Sequence, residues 1–321
     1  MTAANHGTRR GMAAAAAVGV VIALGSAGQA NAAWSFKVPT YQPRPSNLTT
    51  WVFNPQTFVP SSYSKSAIKL ITPTRDVAKK FPTVRARRID VSSIFQPDLR
   101  QWTETPGNQG GLGSCVSWAI GYGMAGWWAN KKGKVVASDW FNPMSVYSVT
   151  RTGAEPPGGS FPADAMTRVR DVGVTKASDY SVNEFNYSHT PTAGEVAAGS
   201  PFRFTSFRVL FNTADPYVPA GNDGISMIKK ELSSGRPVQV SMLVYDDFMN
   251  TSKVNNSTPY TNGASSPYVG RHAILAVGYN SNGLLIQNSW GTGWGEGGFK
   301  RLAWSFVRDN VYRAYVADGM I

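Results

Sequence analysis

The sequence has a single cysteine, Cys115, and three histidines in 321 residues. One thiol excludes any intramolecular disulfide and any cysteine-rich metal cluster. Acidic residues are also scarce, 19 Asp and Glu against 31 Lys and Arg. The excess is not uniform. Residues 33–95 carry ten basic and two acidic residues, a balance of +8, whereas residues 96–321 balance at +2. The positive charge is therefore mostly a property of the amino-terminal stretch, and no groove-reading nucleic-acid motif accompanies it. Internal repeats and long apolar runs are missing too. The one extended apolar stretch, Met12 to Ala27, follows Arg9-Arg10 and precedes Ala30-Asn31-Ala32. That pattern predicts a cleavable signal peptide over residues 1–32 and no membrane anchor. Adjacent arginines are compatible with twin-arginine export and with an ordinary Sec signal. The chain is expected to be exported, secreted or periplasmic.

What is present is concentrated in three places. Cys115 sits in Gln109-Gly110-Gly111-Leu112-Gly113-Ser114-Cys115-Val116-Ser117-Trp118. His272 sits in Gly270-Arg271-His272-Ala273-Ile274-Leu275, and Asn288 in Gln287-Asn288-Ser289-Trp290-Gly291. These residue types belong together chemically. A free thiol has a pKa of about 8.5, so a neighbouring imidazole and a helix N-terminus are needed to hold the nucleophilic thiolate. An asparagine carbonyl can then orient the ring without adding charge. The trio reads as a Cys-His-Asn hydrolase. His6 falls in the leader and His189 in a loop-like run, so neither competes for the role.

The same stretches resemble the papain-like cysteine peptidases, whose nucleophile motif reads Gln-Gly-x-Cys-Gly-Ser-Cys-Trp-Ala-Phe. The resemblance covers about residues 81 to 321 and implies a catalytic Cys115, His272 and Asn288. It also implies that Gln109, six residues before Cys115, completes the oxyanion hole. Trp290 corresponds to the tryptophan that shields the His–Asn bond. Gly158-Gly159 corresponds to the glycine pair that meets the substrate backbone, so Gly158, Gly159 and Trp290 are the expected substrate-binding residues. Leu112 and Pro156 replace two cysteines that family members join in a bridge. Val116 stands where the family has tryptophan, with Trp118 two positions on. Arg271 replaces an Asn or Asp, and a second cation beside an imidazolium should favour the neutral ring.

The fold class implied is α+β in two lobes: a helical lobe over about 96–195 and an antiparallel, β-barrel-like lobe over about 200–310, with the active cleft between them. Local signals agree. A helix is expected from Ser114 to about Ala129, and another from Asn142-Pro143 through Thr150, with asparagine as cap and proline at the first helical position. A third runs over about 164–171. The 186–201 stretch is polar and contains proline. Ile225, Ile228 and Leu232 share a helical face that ends before Gly235 and Pro237. Val238, Val240, Met242 and Val244 alternate as a strand, and 273–279 and 284–288 form a hairpin through Asn280-Ser281-Asn282-Gly283. Asp246-Asp247 reads as a solvated loop, with an acidic rim for basic substrates as the alternative.

The expected activity is cysteine endopeptidase hydrolysis through a thioester, on polypeptide substrates, by a monomer, with no metal and no other cofactor. Transpeptidation by the same triad and a non-catalytic peptide-binding cleft are the alternatives. Residues 33–80 read as a short propeptide trimmed near residue 81, or as a basic arm for anionic surfaces.

Overall fold

The computed structural model describes residues 96–134, 139–152, 158–213, 218–262 and 265–321. The leader, the basic segment and its trimming site, and Pro156 lie outside the described residues.

The helix that carries the thiol begins as expected but is not uniform. Helix α1 (Cys115–Ser117) widens into a π-helical segment (Trp118–Met124) and continues as α2 (Ala125–Lys131). No proline or charge interrupts residues 115–130. Every residue from Cys115 to Ala129 is buried, so packing on all faces holds the helix rather than an amphipathic stripe. The wide turns start at Trp118, the tryptophan displaced from its usual position. Its ring fills the space beside Gly107, where a Cβ would lie 2.1 Å from Trp118 Cζ3. Helix α3 (Met144–Thr150) starts where Asn142 Oδ1 accepts from the Met144 N–H at 2.9 Å. Helix α4 (Pro162–Asp171) buries Pro162, Ala163, Ala165, Met166 and Val169 on one face. Within the polar 186–201 stretch, a further helix α5 (Ala193–Gly199) is set by a capping box between Thr192 and Glu195.

Six strands follow: β1 (Phe207–Asn212), β2 (Val238–Tyr245), β3 (Tyr268–Asn280), β4 (Gly283–Gln287), β5 (Phe299–Ala303) and β6 (Val311–Ala317). They form one antiparallel sheet in the order β1-β6-β2-β3-β4-β5. Helix α6 (Gly221–Ser233) precedes β2, the short helices α7 (Asp246–Met249) and α8 (Thr251–Val254) follow it, and α9 (Trp304–Asn310) leads into β6. Strand β2 packs against both α6 and the π-helical segment, which is why its residues from Val238 to Val244 are all buried. Strand β3 begins at Tyr268, well before the expected start at 273, because Gly270 and Arg271 pair with Val244 and Leu243. Pairing thus overrides weak local strand propensity there. Strand β6 carries the sheet past residue 310, the expected end of the lobe. At the start of α7, Asp247 accepts hydrogen bonds from Tyr260 Oη and Ser266 Oγ, so it ties the loop down rather than standing free in solvent.

One hydrophobic core runs from the Cys115 helix into the sheet. A smaller cluster joins Leu112 to Met144, Tyr147, Tyr180 and Phe185. Leu112 is 4% exposed there, so apolar packing holds the position where the resemblance would put a bridging cysteine.

Candidate active site

Cys115 is the first residue of α1 and is 3% exposed. The turn before it leaves little room for a side chain: a Cβ on Gly113 would lie 3.1 Å from both the carbonyl carbon and the oxygen of Gly158. The nucleophile loop is therefore pressed against the Gly158-Gly159 segment. Burial pushes the thiol up to about 11, while the backbone N–H groups of Ala273, Val116 and Cys115 itself, and the charge of Arg271, favour the thiolate.

His272 lies within β3, opposite Met242 of β2. Its Nε2 is 2.7 Å from Asn288 Oδ1. The same oxygen accepts from the Ser289 N–H at 2.8 Å, which identifies it as the carbonyl end of the amide. The ring proton therefore sits on Nε2, and Nδ1 is left as the acceptor. The β3–β4 hairpin delivers this pair, because Leu275 and Gln287 are partners and Asn288 follows directly. Burial lowers the imidazole to about 4, opposed by the Asn288 bond. Trp290 stacks on the ring with centroids 4.7 Å apart and planes at 20°. Phe248 and Trp294 pack against Trp290 at 5.5 and 5.6 Å. At 7% exposure the indole forms a wall behind the histidine.

Gln109 is held by three bonds besides the one its backbone carbonyl accepts from the Leu112 N–H at 3.4 Å. Its N–H donates to Ser289 O at 2.8 Å, its Oε1 accepts from Ser289 Oγ at 2.6 Å, and its Nε2 donates to Leu112 O at 2.7 Å. One Nε2 hydrogen remains to be offered elsewhere. Ser289 is thus a site residue that sequence reasoning passed over, although it lies between Asn288 and Trp290 in the string that pointed to both. It couples the glutamine loop to the asparagine loop. The bond from Gly291 N–H to Gly107 O, 2.9 Å, and the Asn108–Trp290 bridge reinforce that seam.

Cys115, His272 and Gly159 open on one cavity of about 30 Å³. Gly158 borders it through its contact with the Gly113 turn. Gly158 O accepts from Tyr147 Oη, Gly159 O accepts from the Thr152 N–H, and the Gly158 N–H donates to Thr152 O. The Gly159 N–H is the one backbone group of the pair without such a bond among the described residues. A thiol and an imidazole with a free acceptor nitrogen at one cavity are groups acyl transfer requires, and Gln109, six residues before the thiol, offers a carboxamide donor outside that cavity's lining. Among the described residues no group of three or more His, Cys, Asp or Glu could hold a metal ion, and no helix is long and apolar enough to cross a membrane.

Comparison with known proteins covers the same stretch of chain. The model of the papain family cysteine proteases matches residues 98–311. An uncharacterised peptidase C1-like protein of Acanthamoeba polyphaga mimivirus is 22% identical over 260 residues, 77% of this chain and 78% of the viral protein. Papain of Carica papaya is 64% identical over 31 residues, 10% of this chain and 9% of papain. Among solved structures, xylellain, a cysteine protease from Xylella fastidiosa, superposes with a TM-score of 0.60 at 15% identity, covering 82% of this chain and 95% of xylellain.

Proposed function

The chain belongs to the papain family of cysteine proteases, and on that premise we propose that it is an exported endopeptidase working through Cys115, His272, Asn288 and Gln109. The observation that carries the reading is that Cys115 and His272 open on one cavity while Asn288 keeps the ring proton on the far nitrogen. In the closed cleft burial favours the neutral thiol and the neutral ring, and the two titrate as a pair. The charged form arises when the thiol proton moves to His272 Nδ1. Arg271 and the surrounding N–H groups then stabilise the thiolate, which gives the arginine a role at the sulfur in place of the effect on the ring expected from sequence.

The chemistry follows in two steps. Cys115 Sγ attacks the peptide carbonyl carbon, and the oxyanion is received by Gln109 Nε2–H and the Cys115 N–H. Each such donor contributes about 3–4 kcal/mol to lowering the barrier. Collapse breaks the C–N bond, and the departing amine takes the proton from His272. Water, deprotonated by His272, then attacks the thioester and returns the thiol. The Gly159 N–H is available to a substrate carbonyl, and Trp290 keeps water from the His272–Asn288 bond.

Mass spectrometry after treatment with an epoxide thiol trap at mildly acidic pH tests this. Full-length protein and a form trimmed near residue 81 are both expected to be examined under reducing conditions. Stoichiometric labelling of Cys115 that disappears in His272→Ala supports the activated pair. Labelling only after trimming assigns the basic segment as an inhibitory propeptide. No labelling in either form overturns the peptidase reading.

A further inference from the structure

Arg313 is a buried cation that meets no opposite charge among the described residues. It is 8% exposed, and its Nε has no hydrogen-bond partner there. The ionisable groups acting on it are Tyr312, Tyr315 and Arg271, of which none is a carboxylate. Asp164, on the facing helix α4, acts on Tyr315 and is not among them. An arginine keeps its proton even when desolvated, so burial cannot neutralise the charge. The Tyr312 ring, 5.3 Å from the guanidinium carbon, offers only partial compensation. Arg271, itself 4% exposed, adds a second positive charge.

The sheet aims this cation at the reacting centre. Ala273, Ser241 and Arg313 stand opposite one another across β3, β2 and β6, so their side chains leave the sheet on one face. A register shift after Ser241 pairs Met242 with Val311 and leaves Tyr312 as the extra residue of a bulge. Such a bulge re-aims side chains, and the consecutive Tyr312 and Arg313 both line the cavity. Ala273 and Ser241 are small and leave room beside the guanidinium. Cys115 forms part of the same wall. The cavity of about 30 Å³ has room for about two water molecules, which suits a carboxylate group.

We infer that this cavity is a specificity pocket for an acidic side chain of the substrate, whose carboxylate is received by Arg313 with Arg271 reinforcing the positive field. The inference rests on the peptidase reading above and adds the substrate class. Because Cys115 is in the wall, the acidic residue lies close to the scissile bond. A buried guanidinium discriminates strongly, since a neutral occupant leaves it desolvated and unpaired.

The test uses the full chain and peptide sets that place Glu, Gln, Leu or Arg in turn at each position around a cleavable bond. At one position Glu is expected to exceed Gln in kcat/KM by about 30-fold or more. Arg313→Met is expected to bring that ratio close to one, and Arg313→Lys to retain part of it. The wild-type comparison stands even where a variant fails to fold. Epoxide labelling of Cys115 together with equal or faster cleavage of the Gln or Leu peptides overturns the acidic pocket and leaves the peptidase intact. Absence of both labelling and cleavage overturns the peptidase reading and the pocket with it.

Discussion

Replacing Ser289 by alanine should separate the oxyanion hole from the nucleophile. The substitution deletes the 2.6 Å bond from Ser289 Oγ to Gln109 Oε1 and leaves that acceptor, on a residue 2% exposed, without its donor. An unsatisfied buried acceptor costs about 1–3 kcal/mol of stability. For a domain of this size that corresponds to a fall in Tm of about 2–12 °C. The carboxamide nitrogen keeps its bond to Leu112 O, so the donor is loosened rather than lost. Gln109→Ala, which removes the donor, should reduce kcat by about 100- to 1000-fold. Ser289→Ala should fall short of that, near tenfold, or about 1.4 kcal/mol in the barrier. Alkylation of Cys115 by iodoacetamide builds no oxyanion, so its rate should stay within about twofold of wild type. The assay pairs peptide hydrolysis with alkylation on the same preparation. Unchanged hydrolysis in Ser289→Ala would refute the claim that this serine sets the carboxamide. An equal loss in both rates would show that it acts through the His272–Asn288 geometry instead.

Other expectations follow from burial and packing. With His272 lowered to about 4, the pair gains a proton only below that pH, so the acid limb of kcat/KM should lie near pH 4 rather than 6.5. Asn288→Ala removes the bond that favours the charged ring and should move the limb lower while reducing kcat; a wild-type limb at pH 6–7 would contradict the burial argument. Glu231 is 1% exposed and receives two bonds from Arg208 at 2.9 Å and one from Arg236 at 2.7 Å. Burial alone would raise its carboxyl, but the two arginines hold it below the usual range. Its stabilising contribution is therefore complete above the unfolded value of about 4.3 and is lost as the pH falls through the lower, folded value. Glu231→Gln should cost about 3–5 kcal/mol in denaturant titrations near neutrality and flatten the acid side of the stability profile. Gly113→Ala puts a methyl group 3.1 Å from the Gly158 carbonyl and should cost about 1–3 kcal/mol. By displacing the glycine pair it should also raise KM, measured with any peptide the wild type cleaves.

The Thr192-x-x-Glu195 capping box was legible in the sequence, yet it sits inside a polar stretch with little apolar periodicity and α5 was not expected. The start of β3 was illegible for a different reason: Gly270 and Arg271 have no strand preference of their own and are extended because β2 pairs with them. Ser289 was in plain view, but nothing in its local sequence links it to Gln109, 180 positions away.

The sequence by itself determined the candidate reactive groups and their short-range relations. A lone thiol opening a helix, a glutamine six residues before it, and a hairpin placing Asn288 beside His272 all depend on local spacing and turn chemistry. Tertiary structure alone decided the environment of those groups. Burial raises the thiol and lowers the ring because both lobes close over them. Arg313 reaches the Cys115 cavity because β6, the last strand in the chain, inserts between β1 and β2 with a bulge at Tyr312. Strand order and register of that kind come from pairings between distant segments, which no periodicity within a segment encodes.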